Sequence, residues 1–546
     1  MTESMDSPAL LELADLVKRA HELCAHSANG QESWWLFARL LEAFNQLSMD
    51  ETMAVLDHLA DGALLQPIAL TLARRATERF PEQGHGWFHL GRTLLMGDLK
   101  SAAAHPALVR AWELSPQSRE AFAVCLSAAC LAVGRWADAE RICRQRLEWQ
   151  PACADACSNL SIALSRQYQP EVAVDAARRA LAIQPNHTHA ATNLVIALTD
   201  CCRFQEALAT AREYLAHRPT DEHLRMSMAE LELRLGHWPI GWTNMDARFG
   251  VVPQLGAQLK AREQLLGVPR WRGESLAGKF LGIWLEQGYG DAILLIRFLP
   301  RFAREVRELG GKLVFGCFGS LEKLFRPLIP EDVELDVDQL RSTDYHLPLM
   351  SACAPFSITE ADISGAPYLE ASPQGVSKWK RRFKQDPRLQ VALVWTGNPN
   401  QVRNDVRSLP QPLLLKLLDQ EGVLFHSVNP EVAPVVRELA DNGLPIIDQS
   451  AALKDFAHTA ELLKAVDIVV STCTSTAHLA GALGAPTLLM LDKVGSYIWR
   501  DDSRRSPWYD SVRILRQKQL GDWHSVLQEL GQHLAKQARA KVERQA

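Results

Sequence analysis

The sequence predicts an α + α/β protein, with an N-terminal α-solenoid followed by a pair of doubly wound α/β lobes. Three observations predict it. A proline recurs at Pro81, Pro116, Pro151, Pro185 and Pro219, at intervals of 35, 35, 34 and 34 residues. Beyond about residue 250 the alanine-rich helical pattern stops, and short apolar runs alternate with helical stretches. Glycine- or hydroxyl-rich turns directly follow three of those runs, at 287–290, 396–398 and 471–476.

A fixed period near 34 residues fits a stack of two-helix units. Alanines allow two helices to approach closely, while leucines and aromatics fill the seam. Each proline stops the second helix and sets the turn into the next pair. The third unit carries Gly134, Trp136 and Ala139 before Pro151, and the fourth carries Leu160, Leu164, Ala173, Ala177 and Ala180 before Pro185. The fifth carries Leu194, Leu198, Phe204, Ala207 and Ala211 before Pro219, and Gly236, Trp238 and Gly241 begin a last unit without a closing proline. The register runs back through Gly91 and Ala76. Residues 1–49 read as a divergent helical cap, and 50–250 as the repeats, which resemble tetratricopeptide (TPR) repeats. Such arrays offer a binding face for extended ligands, or serve as spacers and dimerisation modules.

Composition narrows the partners. The chain has 546 residues, 47% hydrophobic and 23% charged, with a formal net charge of -5. These are values of a globular protein. The acidic balance argues against nucleic acid, whose phosphates need a basic footprint. The N-terminus lacks a basic stretch followed by an apolar core, and no run of about 18 apolar residues occurs, so neither a secretory signal nor a membrane span is expected. Eleven cysteines are scattered through helical sequence. Cys153 and Cys157 are four apart and Cys201 and Cys202 adjacent, but no second pair completes a metal site. Buried free thiols, no metal and a reducing, cytoplasmic location are expected.

In the second half, 251–278 reads as a connector. KFLGIWLE (279–286), KLVFGC (312–317) and the tract 344–350 fall in a first lobe, 279–387. LQVALVWTG (389–397), VLFHSV (423–428), DIVVST (467–472) and TLLML (487–491) fall in a second, 388–523, and an amphipathic helix closes the chain at 524–546. Strands alternating with helices imply parallel sheets with a ligand at their carboxyl ends.

Three segments carry candidate chemistry. In Glu286-Gln287-Gly288-Tyr289-Gly290-Asp291, Gly288 and Gly290 turn the chain tightly off a strand. Asp291 then opens a helix, placed either as a general base or as a helix N-cap. In Trp395-Thr396-Gly397-Asn398-Pro399 a strand runs into a small polar loop. Its backbone N–H groups suit phosphate, and Arg403 and Arg407 follow to neutralise charge; a plain surface loop would look similar. In Ser471-Thr472-Cys473-Thr474-Ser475-Thr476-Ala477-His478 a hydroxyl-rich turn opens a small-residue helix. The helix N-terminus is an anion site, although a simple serine or threonine cap fits as well.

Together, PRWRGESLAGKFLGIWLEQGYGDAILLIRFLP, VALVWTGNPN, RSLPQPLL, TAELLKAVDIVVSTCTSTAHLAGALGAP and RRSPWYDSVRILRQKQLGDW span about residues 269–523. They resemble heptosyltransferase-related glycosyltransferases of the two-lobed GT-B arrangement, as found in bacterial proteins that carry TPR repeats before such a domain. The resemblance implies a catalytic base at Asp291. It implies donor contacts from Thr396, Gly397, Asn398, Arg407, Thr474, Ser475, Thr476 and His478, with Ser506, Pro507 and Trp508 in a late motif near the cleft. Relatives usually have aspartate where this chain has Cys473, and glutamine where it has Asn429. The expected activity is transfer of a sugar from a nucleotide-sugar co-substrate to an acceptor hydroxyl, with neither metal nor cofactor. A protein acceptor held by the repeats, such as flagellin or another surface protein, is the leading expectation. A lipopolysaccharide or polysaccharide acceptor, or an inactive protein-binding scaffold, are the alternatives. A homo-oligomer is compatible with the repeats.

Overall fold

The computed structural model describes residues 15–19, 30–59, 66–98, 101–286, 288–336, 342–399, 401, 403–499 and 504–545. Parts of the expected cap (1–14 and 20–29) and Gln287 of the first glycine turn lie outside the described residues. The fold is α + α/β, and the chain divides into two compact units, Met1–Ala197 and Leu198–Ala546.

In the first unit, consecutive helices pack pairwise, among them Gln66–Arg79 with Gly84–Gly97, and Ala154–Arg166 with Pro170–Ile183. The seams are lined by buried alanines, including Ala73, Ala76, Ala107, Ala111, Ala173 and Ala177. Across the array, helices end at Arg79, Leu114, Trp149, Ile183 and His217, each two residues before one of the periodic prolines. The prolines therefore terminate the helices.

The opposite turn of each repeat shows a second period. Gly134, Tyr168, Cys202 and Gly236 all have positive φ, 61–84°. In each case the next residue's N–H reaches the carbonyl five residues back: Arg135 to Cys130, Gln169 to Leu164, Arg203 to Leu198 and His237 to Glu232, at 2.8–3.0 Å. This is the left-handed helix stop that favours glycine. Two repeats meet it with tyrosine and cysteine instead.

The second unit begins inside the repeat array. It holds helices Phe204–His217 and Glu222–Arg234, the short helix Trp238–Asn244, and two parallel sheets. The strands are β1 (Phe280–Trp284), β2 (Lys312–Gly316), β3 (Glu334–Leu335) and β4 (Tyr345–Pro348), then β5 (Leu389–Val394), β6 (Val423–Ser427), β7 (Ile446–Asp448), β8 (Ile468–Thr472), β9 (Thr487–Leu491) and β10 (Val512–Arg516). The first sheet has the order β3-β2-β1-β4 and the second β10-β9-β8-β5-β6-β7. One apolar core contains Ala229, Leu233 and Trp242 from the repeats together with Ile283, Leu295 and Phe302 beside the first sheet and Ala477, Leu489 and Trp508 beside the second. Trp242, fully buried, also donates to the carbonyl of Ile358 at 3.1 Å.

The described cysteines are free, and Cys130, Cys143, Cys153, Cys157, Cys317 and Cys353 are buried. Among the described residues no helix is long and apolar enough to cross a membrane, and no three His, Cys, Asp or Glu side chains gather as a metal site would require.

A non-glycine residue in the left-handed region costs about 1–2 kcal/mol. Tyr168 is 42% exposed, so glycine there gives up only part of a buried side chain. Tyr168→Gly is expected to stabilise the first unit by about 1 kcal/mol, seen as a higher urea midpoint by circular dichroism, and Gly134→Tyr to lower that midpoint.

Candidate active site

Each parallel sheet has one point where the chain reverses its direction of travel across the strands, and a crevice opens there at the carboxyl ends. In the first sheet that point lies between β1 and β4, in the second between β5 and β8. The loop after β1 leads to Gly288–Asp291. The loop after β5 carries Thr396–Asn398, and the loop after β8 carries Cys473–Thr476. All three segments singled out in the sequence therefore sit at switch points. They also converge. The helix Tyr289–Leu295 packs against the helix Ser475–Ala482, and a Cβ on Gly290 would come within 3.1 Å of the His478 ring and 3.7 Å of Ser475 Cα.

Asp291 is the third residue of the Tyr289–Leu295 helix. Gly288, at φ 109°, holds the cap position and makes no side-chain cap bond. A side chain at 288 would meet the Asp291 carboxylate at 2.7 Å, so only glycine leaves it room. Asp291 has no hydrogen-bond partner among the described residues. Burial, followed by the charge of Glu286, pushes its carboxyl up to about 6; Arg248 works against this and Glu230 adds to it.

Behind Asp291 stands a buried charged network. Arg248 donates to both Glu286 oxygens, at 2.6 and 2.7 Å, and to Ser351 Oγ at 2.8 Å and Asp246 at 3.1 Å. Glu286 also accepts the Met350 N–H at 3.2 Å, which joins the ends of β1 and β4. Arg270 pairs with the other oxygen of Asp246.

In the second sheet, Thr396 Oγ1 lies 2.8 Å from Ser408 Oγ, and Asn404 Oδ1 accepts from the Gly397 N–H at 3.2 Å and from Arg407 Nε at 3.1 Å. The Gly397 amide thus points into its own loop. Arg407 donates to the Cys473 carbonyl at 2.9 Å, and among the described residues no carboxylate pairs with it. A Cβ on Gly397 would overlap the Arg407 guanidinium and come within 3.2 Å of Thr474. Arg407, Gly397 and Thr474 therefore form one surface. Arg403 instead pairs with Asp200 at 2.8 Å and Asp492 at 3.5 Å. Asn398 is exposed next to Gly397 and has a partner of its own.

Thr474 caps the Ser475–Ala482 helix, its hydroxyl 3.1 Å from Ser471 Oγ. Ser475 and Thr476 are half-exposed, and among the described residues neither their hydroxyls nor their N–H groups have an acceptor. That leaves donors directed out of a positive helix end. His478 is different. It is buried, stacks on Trp499 at 5.3 Å, and its Nδ1 lies 3.0 Å from the Tyr509 hydroxyl. Burial, with Arg297 nearby, drives its pKa down to about 3, so it stays neutral. Cys473 Sγ accepts from Trp499 Nε1 at 3.1 Å, and Asn429 Nδ2 donates to the Thr396 carbonyl at 3.3 Å. Trp508 is buried, and its carbonyl accepts from Arg297 at 3.2 Å.

Sequence reading missed Arg248, which belongs to no short motif.

No family model matches the chain. It is 29% identical over 338 residues to Protein FlbA of Caulobacter vibrioides, which covers 56% of this chain and 53% of that one. The chain thus spans about half the length of the curated relative it matches. Among solved structures it is similar to a thermophilic TPR protein of Thermus thermophilus, at 22% identity over 34% of this chain and 100% of that one, with a TM-score of 0.29. It is also similar to the glycosyl transferase family 9 from Veillonella parvula, at 10% identity over 48% of this chain and 99% of that one, with a TM-score of 0.35.

The raised carboxyl of Asp291 has a consequence for stability. The folded protein holds this proton to a higher pH than the unfolded chain, whose carboxyl titrates near 3.8. Ionising it therefore costs stability as pH rises from 3.8 through 6, and the cost is complete above that. Asp291→Asn is expected to stabilise the second unit by about 1–3 kcal/mol at pH 7.5. The gain should vanish near pH 3.5, and melting curves at the two pH values check it.

Proposed function

We propose that this chain is a glycosyltransferase that moves a sugar from a nucleotide-sugar donor to an acceptor hydroxyl. The observation that carries the reading is the pairing of two switch-point crevices: one presents a carboxylate without a partner among the described residues, and the other an arginine that no described carboxylate pairs, beside a hydroxyl-rich helix N-terminus. The reading agrees with the resemblance to two-lobed glycosyltransferases.

In this mechanism Asp291 accepts the proton of the acceptor hydroxyl. The acceptor oxygen forms a bond to the anomeric carbon, and the bond from that carbon to the diphosphate oxygen breaks. The electron pair leaves with the nucleoside diphosphate. Arg407, the free N–H groups of the Ser475–Ala482 helix, and the hydroxyls of Thr474, Ser475 and Thr476 meet the charge that grows on the leaving group. Asn398 and Thr396 shape the same loop, and His478 packs the helix against Gly290. A carboxyl near 6 suits a base working at neutral pH. The acceptor in this reading is a protein engaged by the repeats, flagellin or another surface protein.

Two measurements test it. Melting of the purified chain is followed with UDP, GDP, ADP, dTDP and CMP and their sugars, since a ligand of the folded state raises apparent stability. A shift with one series is expected, weakened about tenfold in affinity by Gly397→Ala, which displaces Arg407. Transfer of radiolabelled sugar to protein extract from a strain lacking this gene should fall by about 10²–10⁴ in Asp291→Asn while donor binding persists. No shift with any nucleotide would sink the transferase reading. Label in lipopolysaccharide rather than protein would redirect the acceptor.

A further inference from the structure

Arginines on the helix Leu299–Glu308 of the first lobe all have acidic partners. Arg301 pairs with Glu305 at 2.6 Å and also with Asp362, Arg304 with Glu308 at 4.0 Å, and Arg307 with Asp332 at 2.8 Å. The last helix before the second sheet is different. Between Ser372 and Gln385 the chain carries Lys378, Lys380, Arg381, Arg382 and Lys384 and no acidic residue. All five are exposed, and among the described residues none pairs with a carboxylate. Asp386, just beyond them, is taken by Arg388 at 2.6 Å.

The helix Pro373–Phe383 sets how these charges are displayed. Trp379 and Phe383, four residues apart, are both buried, so their face points inward. Lys380, Arg381 and Arg382 fan over the remaining sides, with Lys378 and Lys384 flanking them. Glu461, on the neighbouring helix Phe456–Ala465, lies against Gly375 at the N-terminal end, where a Cβ would overlap its carboxylate. The basic end also lies away from the crevices. It leads into the start of β5, whereas Thr396–Asn398 follow the far end of that strand. β5 has six residues, so about 20 Å of strand separates the two. A partner can cover the cations and leave the crevice of the second sheet open.

Crowded like charges repel one another, and a partner that brings negative charge relieves this. The shape of the patch indicates which partner. A convex fan of cations meets a flat anionic surface all at once. A nucleic-acid strand is instead held in a groove, with exposed rings on which its bases stack, and both rings of this helix are buried.

We propose that the outer face of the Pro373–Phe383 helix, with Lys384, docks on anionic lipid headgroups and holds the chain against a membrane surface. The proposal is independent of the transferase chemistry, since it uses the opposite end of β5.

Vesicles provide the test. The full chain is mixed with vesicles of phosphatidylcholine alone, or with phosphatidylglycerol added to about 30%, and the bound fraction is read by sedimentation at low and high salt. Binding is expected only with phosphatidylglycerol, and should fade as salt shortens the Debye length. Each cation near such a surface contributes about fivefold, so Lys380→Glu with Arg381→Glu should weaken binding by at least about tenfold. Lys378→Glu with Lys384→Glu gives a second, independent reading. Lys416→Glu with Lys518→Glu, an equal charge change at exposed sites elsewhere, should leave binding within about twofold. Melting curves that match the wild type show that the variants are folded. No binding to phosphatidylglycerol vesicles at low salt, or an equal loss in all three double variants, overturns the proposal. Oligonucleotide binding that depends more strongly than vesicle binding on Lys380 and Arg381 also overturns it, and assigns the patch to nucleic acid.

Discussion

The structure of the second unit depends on one buried ion pair. Arg248 follows the last repeat helix, and Glu286 stands at the end of β1. Their two-pronged contact is buried on both sides. Taking two charges out of water is costly, and the cost is met only when every prong is used. Here the guanidinium also reaches Ser351, Asp246 and the Met245 carbonyl, and Glu286 also takes the Met350 N–H. The network joins three pieces of chain that are far apart in sequence: the end of the repeats, the end of β1 and the end of β4. Losing one partner would leave an uncompensated buried charge, worth about 3–5 kcal/mol.

The position of this pair explains why the repeats and the sheets share a core. β1 and β4 flank the switch point of the first sheet, so whatever fixes their ends fixes the loop that carries Asp291. The repeats supply that fixture through Arg248. They supply another through Asp200, which holds Arg403 together with Asp492. Arg403 is committed in this way, whereas Arg407, four residues on, faces the Thr474 turn without a carboxylate. Two arginines on one loop thus have different roles because the repeats supply a partner to only one of them.

Much of the fold was legible in the sequence because its signals are local. The prolines mark helix ends directly, and the central strands β1, β5, β8 and β9 are continuous apolar runs, as buried parallel strands must be. The edge strands β3, β7 and β10 escaped, since each is short or interrupted by polar residues such as Glu334, Asp448 and Arg513. At the site, the glycine and hydroxyl turns stood out because tight turns and helix starts demand particular residues. Gly288 and Gly290 could be read as turn formers, but only the structure shows Gly290 making room for His478. Arg248 could not be read at all. It acquires its meaning from Glu286 and Ser351, far away in sequence, and burial that arises from tertiary packing leaves no trace in local spacing.

A rule about charge separates scaffold from site. Arg248 and Arg403 are each held by two carboxylates, and burial is tolerable for them because the field is closed on itself. Asp291 and Arg407 lack such closure among the described residues. Desolvation pushes the Asp291 carboxyl up and the Arg407 guanidinium down, the direction expected when a group is withdrawn from water. Such groups raise the free energy of the fold, so they are not there for stability's sake. In the proposed function Arg407 meets a diphosphate beside the helix N-terminus, and Asp291 meets the acceptor hydroxyl. The network around Arg248 and Glu286 ties together the ends of β1 and β4 that flank the Asp291 loop.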